Sequence, residues 1–440
     1  MNAGLSPFLA SVERARTQVA SAAATDPEAQ RVRRAALDRF VAAGLPGARD
    51  ENWKYLILRA LARSEWVLPS PPAAGVRAPE DLLTMAGATR FVFVDGRFNA
   101  GLSSPRATSP VTRIETLAEL YARAPEQLAS MVPVDDRADT RFALLNTAFA
   151  LDGASVEIAG GESPLIYVVF IATGSASAQA TFPRIRIRAT RGASATIVEH
   201  HVADGGGSRF VNSLAEIEVD DSSRVDLCRL HALAAEARQF DTLRARVGAH
   251  STFALHSLMV GGDVVRSDVD VALSGPAAAG QINGLMVTAG TQHHELHAEL
   301  RHAVPHTTSR THVRAVVNDS GRSICNSKVI VAAGAKGSVS EQNFRNLLLA
   351  SGAEADTRPQ LEINNDDVKC SHGASTGRLD PNMLFYLLSR GIDAAMARGL
   401  LTYAFVIDLL KDLPVAEVSR TVARLAAGTL PDRDLIKDFI

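Results

Sequence analysis

Three cysteines in 440 residues, Cys228, Cys325 and Cys370, are too few and too far apart for a disulfide framework. A reducing, cytoplasmic setting is the expectation that follows. A basic surplus is also missing: 46 Lys and Arg stand against 48 Asp and Glu, a formal charge of −2. A nucleic-acid footprint would need a clear positive excess. Long apolar runs are absent too. The strongest, Leu165 to Ala172 (LIYVVFIA), is far below the ~20 residues that cross a bilayer and reads as a buried strand. The amino terminus lacks the basic-then-apolar order of a secretory leader. A soluble chain with no nucleic-acid and no membrane partner is expected.

Several catalytic signatures are missing. The run GAKG at Gly334–Gly337 lacks the spacing of a P-loop, no G-x-G-x-x-G leads from a strand into a helix, and no G-x-S-x-G elbow is present. ATP binding through a Walker fold and serine hydrolase chemistry are excluded on these grounds. Gly205–Gly207 after Asp204 reads as a flexible turn.

What is present is an ordinary globular mixture, 46% hydrophobic and 21% charged, in a chain too long for one compact core. Its texture changes twice. Residues 1–88 have helical spacing, broken by the proline-rich stretch Pro69–Pro79. Val32, Ala36 and Phe40 recur at steps of four, with Gly44 where a C-cap belongs, and DENWKYLILR at Asp50–Arg59 resembles a helix start. Residues 89–378 alternate instead. Ile185, Ile187 and Ala189 interleave with Arg184, Arg186 and Arg188, and Ala215–Val219 and Val269–Leu273 continue in the same way.

Turn signals at Gly192, Asp221, Gly248 and Gly275 are spaced 29, 27 and 27 residues apart, and the next, Gly334, lies two such steps on. This spacing predicts stacked units in a parallel β-helix; a β-sandwich would show turns every 8–12 residues without the longer repeat. The fold class is therefore mainly β, a β-helix between an N-terminal helical region and a C-terminal helical domain at 379–440. In that tail Asp380-Pro381 opens a helix and Gly391 ends it. Met396, Leu400, Tyr403 and Ile407 mark one face of a second, and Ala416–Ala427 forms a third. The bundle is expected to cap the exposed coil edge and to offer a surface to another protein.

Cys370 and His372, two apart in an extended segment, put a thiol and an imidazole on one side of the chain. Soft sulfur with borderline nitrogen suits iron, zinc or an iron–sulfur centre, but two ligands do not close a site. The alternative is a loop cysteine beside a solvated histidine. The densest histidine run, Thr291–His306, places His293, Glu295 and His297 on one strand face and His294, Leu296 and His302 on the other. His294-Glu295-Leu296-His297 is one residue short of H-E-x-x-H, so a hydrogen-bonding histidine face is favoured over a metal site. Cys228 and Cys325 fall in strand patterns and are assigned to the core. Asp366 and Asp367 are adjacent and would face opposite ways on a strand, a poor acid/base pair.

The run RPQLEINNDDVKCSHGASTGRLDPNMLFYLLSRGI, with QNFRNLLLASGAEADT ahead of it, resembles the carboxy-terminal signature of the SufB/SufD family of iron–sulfur cluster assembly proteins. Gln292, His293, His302, Pro305 and Ser309 fit the family's histidine-rich run, and ENWKYLILR and FVFVDGRFN fit near the amino end. Glu295 and Ala298 depart from the Asp and Thr common there. The wording around Cys370 looks closer to the SufD-type branch than to the SufB-type.

The resemblance implies a non-catalytic scaffold that pairs with a SufB-like paralogue and engages a SufC-like ABC ATPase through the C-terminal helices. It also implies transfer of nascent clusters to apo-protein acceptors, and a homodimer when the paralogue is absent. Cys370 and His372 are implied to meet iron or a nascent cluster at the junction with the paralogue, with none held tightly by the lone chain; His293 and His302 are weaker candidates. The alternatives are a SufB-type cluster-holding subunit and, from another class, a β-helical carbohydrate-active enzyme, for which converging carboxylates are lacking.

Overall fold

The computed structural model describes residues 6–22, 27–47, 50–56, 58–71, 78–80, 82–105, 112–128, 139–174 and 178–428. Residues 72–77 of the proline-rich stretch, residue 57 of the ENWKYLILR segment and the tail 429–440 lie outside them. Two ten-stranded sheets face each other along one solenoid. The first runs β2 (Arg97–Phe98), β1 (Thr89–Val94), β5 (Leu165–Thr173), β8 (Ser194–Asp204), β10 (Arg224–Ala232), β12 (Thr252–Met259), β14 (Ala279–Thr288), β16 (Thr308–Val317), β18 (Ser338–Leu348) and β20 (Val368–Gly377). The second runs β19 (Glu354–Ile363), β17 (Arg322–Val331), β15 (His293–His302), β13 (Val264–Leu273), β11 (Ala237–Val247), β9 (Arg209–Val219), β7 (Arg184–Ala189), β4 (Ala154–Ile158) and β3 (Thr112–Thr116), with β6 (Gln179–Thr181) beside β9. From β8 onward consecutive strands alternate between the sheets and every pairing is parallel, which is a β-helix with two strands per coil.

Period-two patterning makes this work. Inward positions stack into apolar rows, Leu227–Leu255–Ile282 on one side and Leu243–Val269–Ala298 on the other, and together they form the central core. Once per coil the chain turns through a left-handed residue: Gly192, Ser222, His250, Ala277, His306 and Gly337. Only two of these are glycine, so reading glycine-rich signals skips the coil that turns at His306. Gly275 is needed for a different reason, since a Cβ there would lie 2.0 Å from the Ala249 backbone nitrogen of the preceding coil.

The outward faces differ. On the first sheet Cys228, Leu230, Leu258, Leu285 and Val316 form an apolar stripe. Helices α7 (Ala394–Leu410) and α8 (Ala416–Gly428) bury it with Val406, Leu410, Val418 and Val422. The expectation that the bundle caps the coil edge is thus corrected: the helices lie along the side of the solenoid, because the apolar surface needing cover is there. The fully buried line of α7 is Gly399, Thr402, Val406 and Leu409, while Met396, Leu400, Tyr403 and Ile407 flank it half-buried.

On the second sheet α1 (Pro7–Ala22), α2 (Pro27–Ala43) and α5 (Arg141–Phe149) pack an aromatic layer. Phe142 stacks on Phe240 at 4.6 Å, and Trp53 lies over both. Two short helices, α3 (Arg59–Arg63) and α4 (Leu117–Arg123), complete this side. Asp50–Arg59 is not one helix. Only Glu51–Trp53 makes a 3-10 turn, because its groups are committed across the sheet: Asp50 to Arg141, Glu51 to Arg358, the Asn52 carbonyl to Arg266 and Trp53 Nε1 to Asp139.

Candidate functional site at the last coil

The strand β20 pairs with β18 in parallel register, Ser340 opposite Cys370 and Gln342 opposite His372. Ser340 and Gln342 are buried on the inward row, so Cys370 and His372 share the row that faces the solenoid interior. Cys370 is half-buried against the end of the core, whereas His372 is exposed. Both remain accessible because β20 is the outermost strand of the first sheet and β19 that of the second. Burial raises the Cys370 pKa, with the Ser340 backbone partly offsetting it. Asp366 and Asp367 sit in the turn between β19 and β20 rather than on a strand, where the Asp367 carbonyl accepts from Gly337 N–H at 2.6 Å.

Beyond β20 the helix α6 (Pro381–Ser389) starts on Asp380, whose carboxylate accepts from Asn382 N–H at 2.8 Å, and stops before Gly391 in left-handed conformation. No residue of this helix is buried. Met383, Phe385, Tyr386 and Leu388 stand exposed, Phe385 at 71%. The apolar face of α6 and the thiol–imidazole pair therefore lie on consecutive elements of one end of the chain.

The histidine run is arranged differently. Glu295 on β15 accepts from His293 Nε2 at 2.7 Å, His297 Nε2 at 2.9 Å and Arg266 Nη1 at 2.7 Å. The Arg266 guanidinium also lies 3.7 Å over the Trp53 ring. Burial acts to raise the Glu295 pKa, but the two histidine hydrogen bonds and the charge of Arg266 outweigh it and hold the carboxylate ionised. His302 lies on the inward row, its nitrogens 2.7 Å from Thr307 Oγ1 and 2.8 Å from Ser309 Oγ, so it does not converge with His293. Cys228 and Cys325 are buried, the first under the C-terminal helices and the second in the central core. Among the described residues no group of three or more His, Cys, Asp or Glu side chains is placed to hold a metal ion.

Sequence reasoning missed Arg184, Arg186 and Arg266 as buried charges. The alternation at Arg184–Arg188 gives their face correctly, but nothing local signals the layer packed over it.

Comparison with known proteins adds an independent line. A family model described as SUF system FeS cluster assembly, SufBD core domain, matches residues 170–405. The iron–sulfur cluster assembly protein SufD of Escherichia coli (strain K12) is 29% identical over 402 residues, covering 90% of this chain and 92% of that protein. An iron–sulfur cluster assembly SufBD family protein of Synechocystis sp. is 28% identical, covering 88% of each. Protein ABCI7, chloroplastic, of Arabidopsis thaliana is 25% identical over 91% of this chain and 86% of its own length. Solenoid, terminal helices and matched core agree, and the chain belongs to the SufB/SufD family of iron–sulfur cluster assembly, resembling its SufD members.

Proposed function

We propose that the chain is a non-catalytic scaffold subunit of a SUF-type assembly complex. It pairs with a SufB-like paralogue at the β19–β20 edge and engages a SufC-like ATPase through the C-terminal helices, with α6 the exposed apolar surface. His372, assisted by Cys370, contributes to holding iron or a nascent cluster whose remaining ligands come from the paralogue. The cluster is cargo, passed on to apo-protein acceptors. The carrying observation is the inward row of β20, where a thiol and an exposed imidazole stand on a strand with no further strand beside it among the described residues. An open sheet edge has unpaired N–H and C=O groups that another strand can satisfy. A two-ligand half-site holds metal weakly alone and firmly once completed, so movement of the helical domains can gate it. Three free thiols support a reducing compartment, such as the cytoplasm, for this complex.

The test is co-expression with the paralogue and the ATPase, comparing wild type with His372→Ala. Complexes of unchanged subunit composition should carry much less iron and acid-labile sulfide. Equal metal and sulfide in both would remove the role assigned to His372.

A further inference from the structure

A histidine that holds metal with one ring nitrogen uses the other as a donor, to a carboxylate, a carbonyl or water. That second bond fixes the tautomer and the plane of the ring. His372 is bonded to none of the described residues, so the acceptor for its second nitrogen has to be sought nearby. Register stacks Ile282, Thr311, Gln342 and His372 on β14, β16, β18 and β20, about 4.8 Å per rung. Gln342, one rung in from His372, is 1% exposed. Its Nε2 donates to the Gln360 carbonyl of β19 at 3.2 Å. A carbonyl only accepts, so this contact settles which end of the amide is nitrogen. The other end, Oε1, is buried and has no partner.

A buried acceptor left unpaired is costly and calls for a reason. Thr311 Oγ1 and Ser327 Oγ are also buried without partners, but neither competes for the outer side of Gln342. Thr311 lies on the inner side of Gln342 in the same row, and Ser327 is on β17, in register with Pro359. A carbonyl oxygen has two lone pairs, so an inward hydroxyl leaves the outward one to the imidazole. The other inward amide of β18 acts differently. Asn346 Nδ2 donates to Thr357 Oγ1 on β19 at 2.8 Å and to Thr376 Oγ1 on β20 at 2.9 Å, tying β18 to both outermost strands. Asn346 holds the frame; Gln342 keeps an acceptor in reserve.

We propose that Gln342 is the positioning residue for His372. Its Oε1 accepts the N–H of one ring nitrogen and so fixes the tautomer in which the other nitrogen offers its lone pair to iron at the open edge. The exposed ring is free to turn into this bond when metal is taken up. The inference rests on the iron-holding role given to His372, and its test separates the two.

The experiment uses the complex with the paralogue and the ATPase, and reads ferrous iron affinity by competition with a chelator under anaerobic conditions. Wild type is compared with H372A, Q342M, Q342E and the double variant H372A/Q342M, each at unchanged subunit composition. Q342M, which has no acceptor, should weaken iron binding about tenfold or more. Q342E keeps an acceptor but cannot donate to the Gln360 carbonyl, and should stay within about twofold of wild type. The double variant should bind no more weakly than H372A, because Gln342 acts only through the ring. Equal losses in Q342M and Q342E would overturn the proposal by showing the amide to be a tie between the sheets. A double variant weaker than H372A would overturn it too, as would a Q342M that binds like wild type while H372A does not. Unchanged affinity in H372A would instead remove the role of His372, and with it the need for a positioning residue. If Q342M does not fold, Q342A replaces it, since a smaller side chain cannot overpack the coil.

Discussion

Strands β15 and β20 both carry histidines, and they treat them in opposite ways. On β15 the Nε2 atoms of His293 and His297 are spent on Glu295, and Arg266, stacked on the Trp53 ring, binds the same carboxylate. On β20 the imidazole of His372 is exposed and bonded to none of the described residues. Histidine density in the sequence points to the first strand; free coordinating capacity points to the second. A nitrogen already engaged in a buried charge network holds the fold, and one left open at an unfinished edge is available to a metal.

The sharpest way to break this contrast is to remove the hub. Glu295→Ala leaves Arg266 buried with only Asp268 to pair with, and strands two histidines. Breaking a buried pair in this way costs about 3–5 kcal/mol, and urea denaturation should show a loss of that order. A loss under about 1 kcal/mol would mean that the network is as dispensable as a surface pair.

The inward side of β15 gives a smaller effect with a pH signature. Burial pushes the His302 pKa down to about 4. The folded protein therefore keeps this ring neutral while the unfolded chain protonates it near pH 6.5. The stabilisation is whole above that value and drains away as pH falls toward 4. His302→Gln, which retains hydrogen-bonding groups for Thr307 and Ser309, should lower the slope of stability against pH by up to about 1.4 kcal/mol per unit in that window. An unchanged slope between pH 6.5 and 4 would place the titration elsewhere.

Much of this was legible in the sequence because solenoid patterning is local. Alternation fixes which side chains point inward, the 27–29-residue steps fix the coil, and Asp380-Pro381 and Gly391 fix the ends of α6. Where reading failed, the deciding force came from far along the chain. Asp50–Arg59 gives up a continuous helix because its partners sit on α5, β13 and β19. The C-terminal helices lie along the first sheet because an apolar stripe assembled from four separate strands needs cover. Arg184 and Arg186 look like solvated strand residues until α2 and α4 are laid over them. No local spacing encodes such contacts.

The smallest expected effect completes the comparison. His372→Ala removes an exposed ring with no bonding partner among the described residues, so stability should shift by no more than about 0.5 kcal/mol. The thiol beside it gives a matching readout. Burial pushes Cys228 up to about 12 and Cys325 higher still, and both are sealed by packing, while Cys370 is only half-buried. Iodoacetamide on the native chain should label Cys370 alone, slowly because its own pKa is also raised, and denaturant should release the other two. A large stability loss in His372→Ala, or a Cys370 that resists alkylation as Cys325 does, would mean that the last coil is sealed like the coils before it. The distinction between a spent histidine and an available one would then lose its footing at β20.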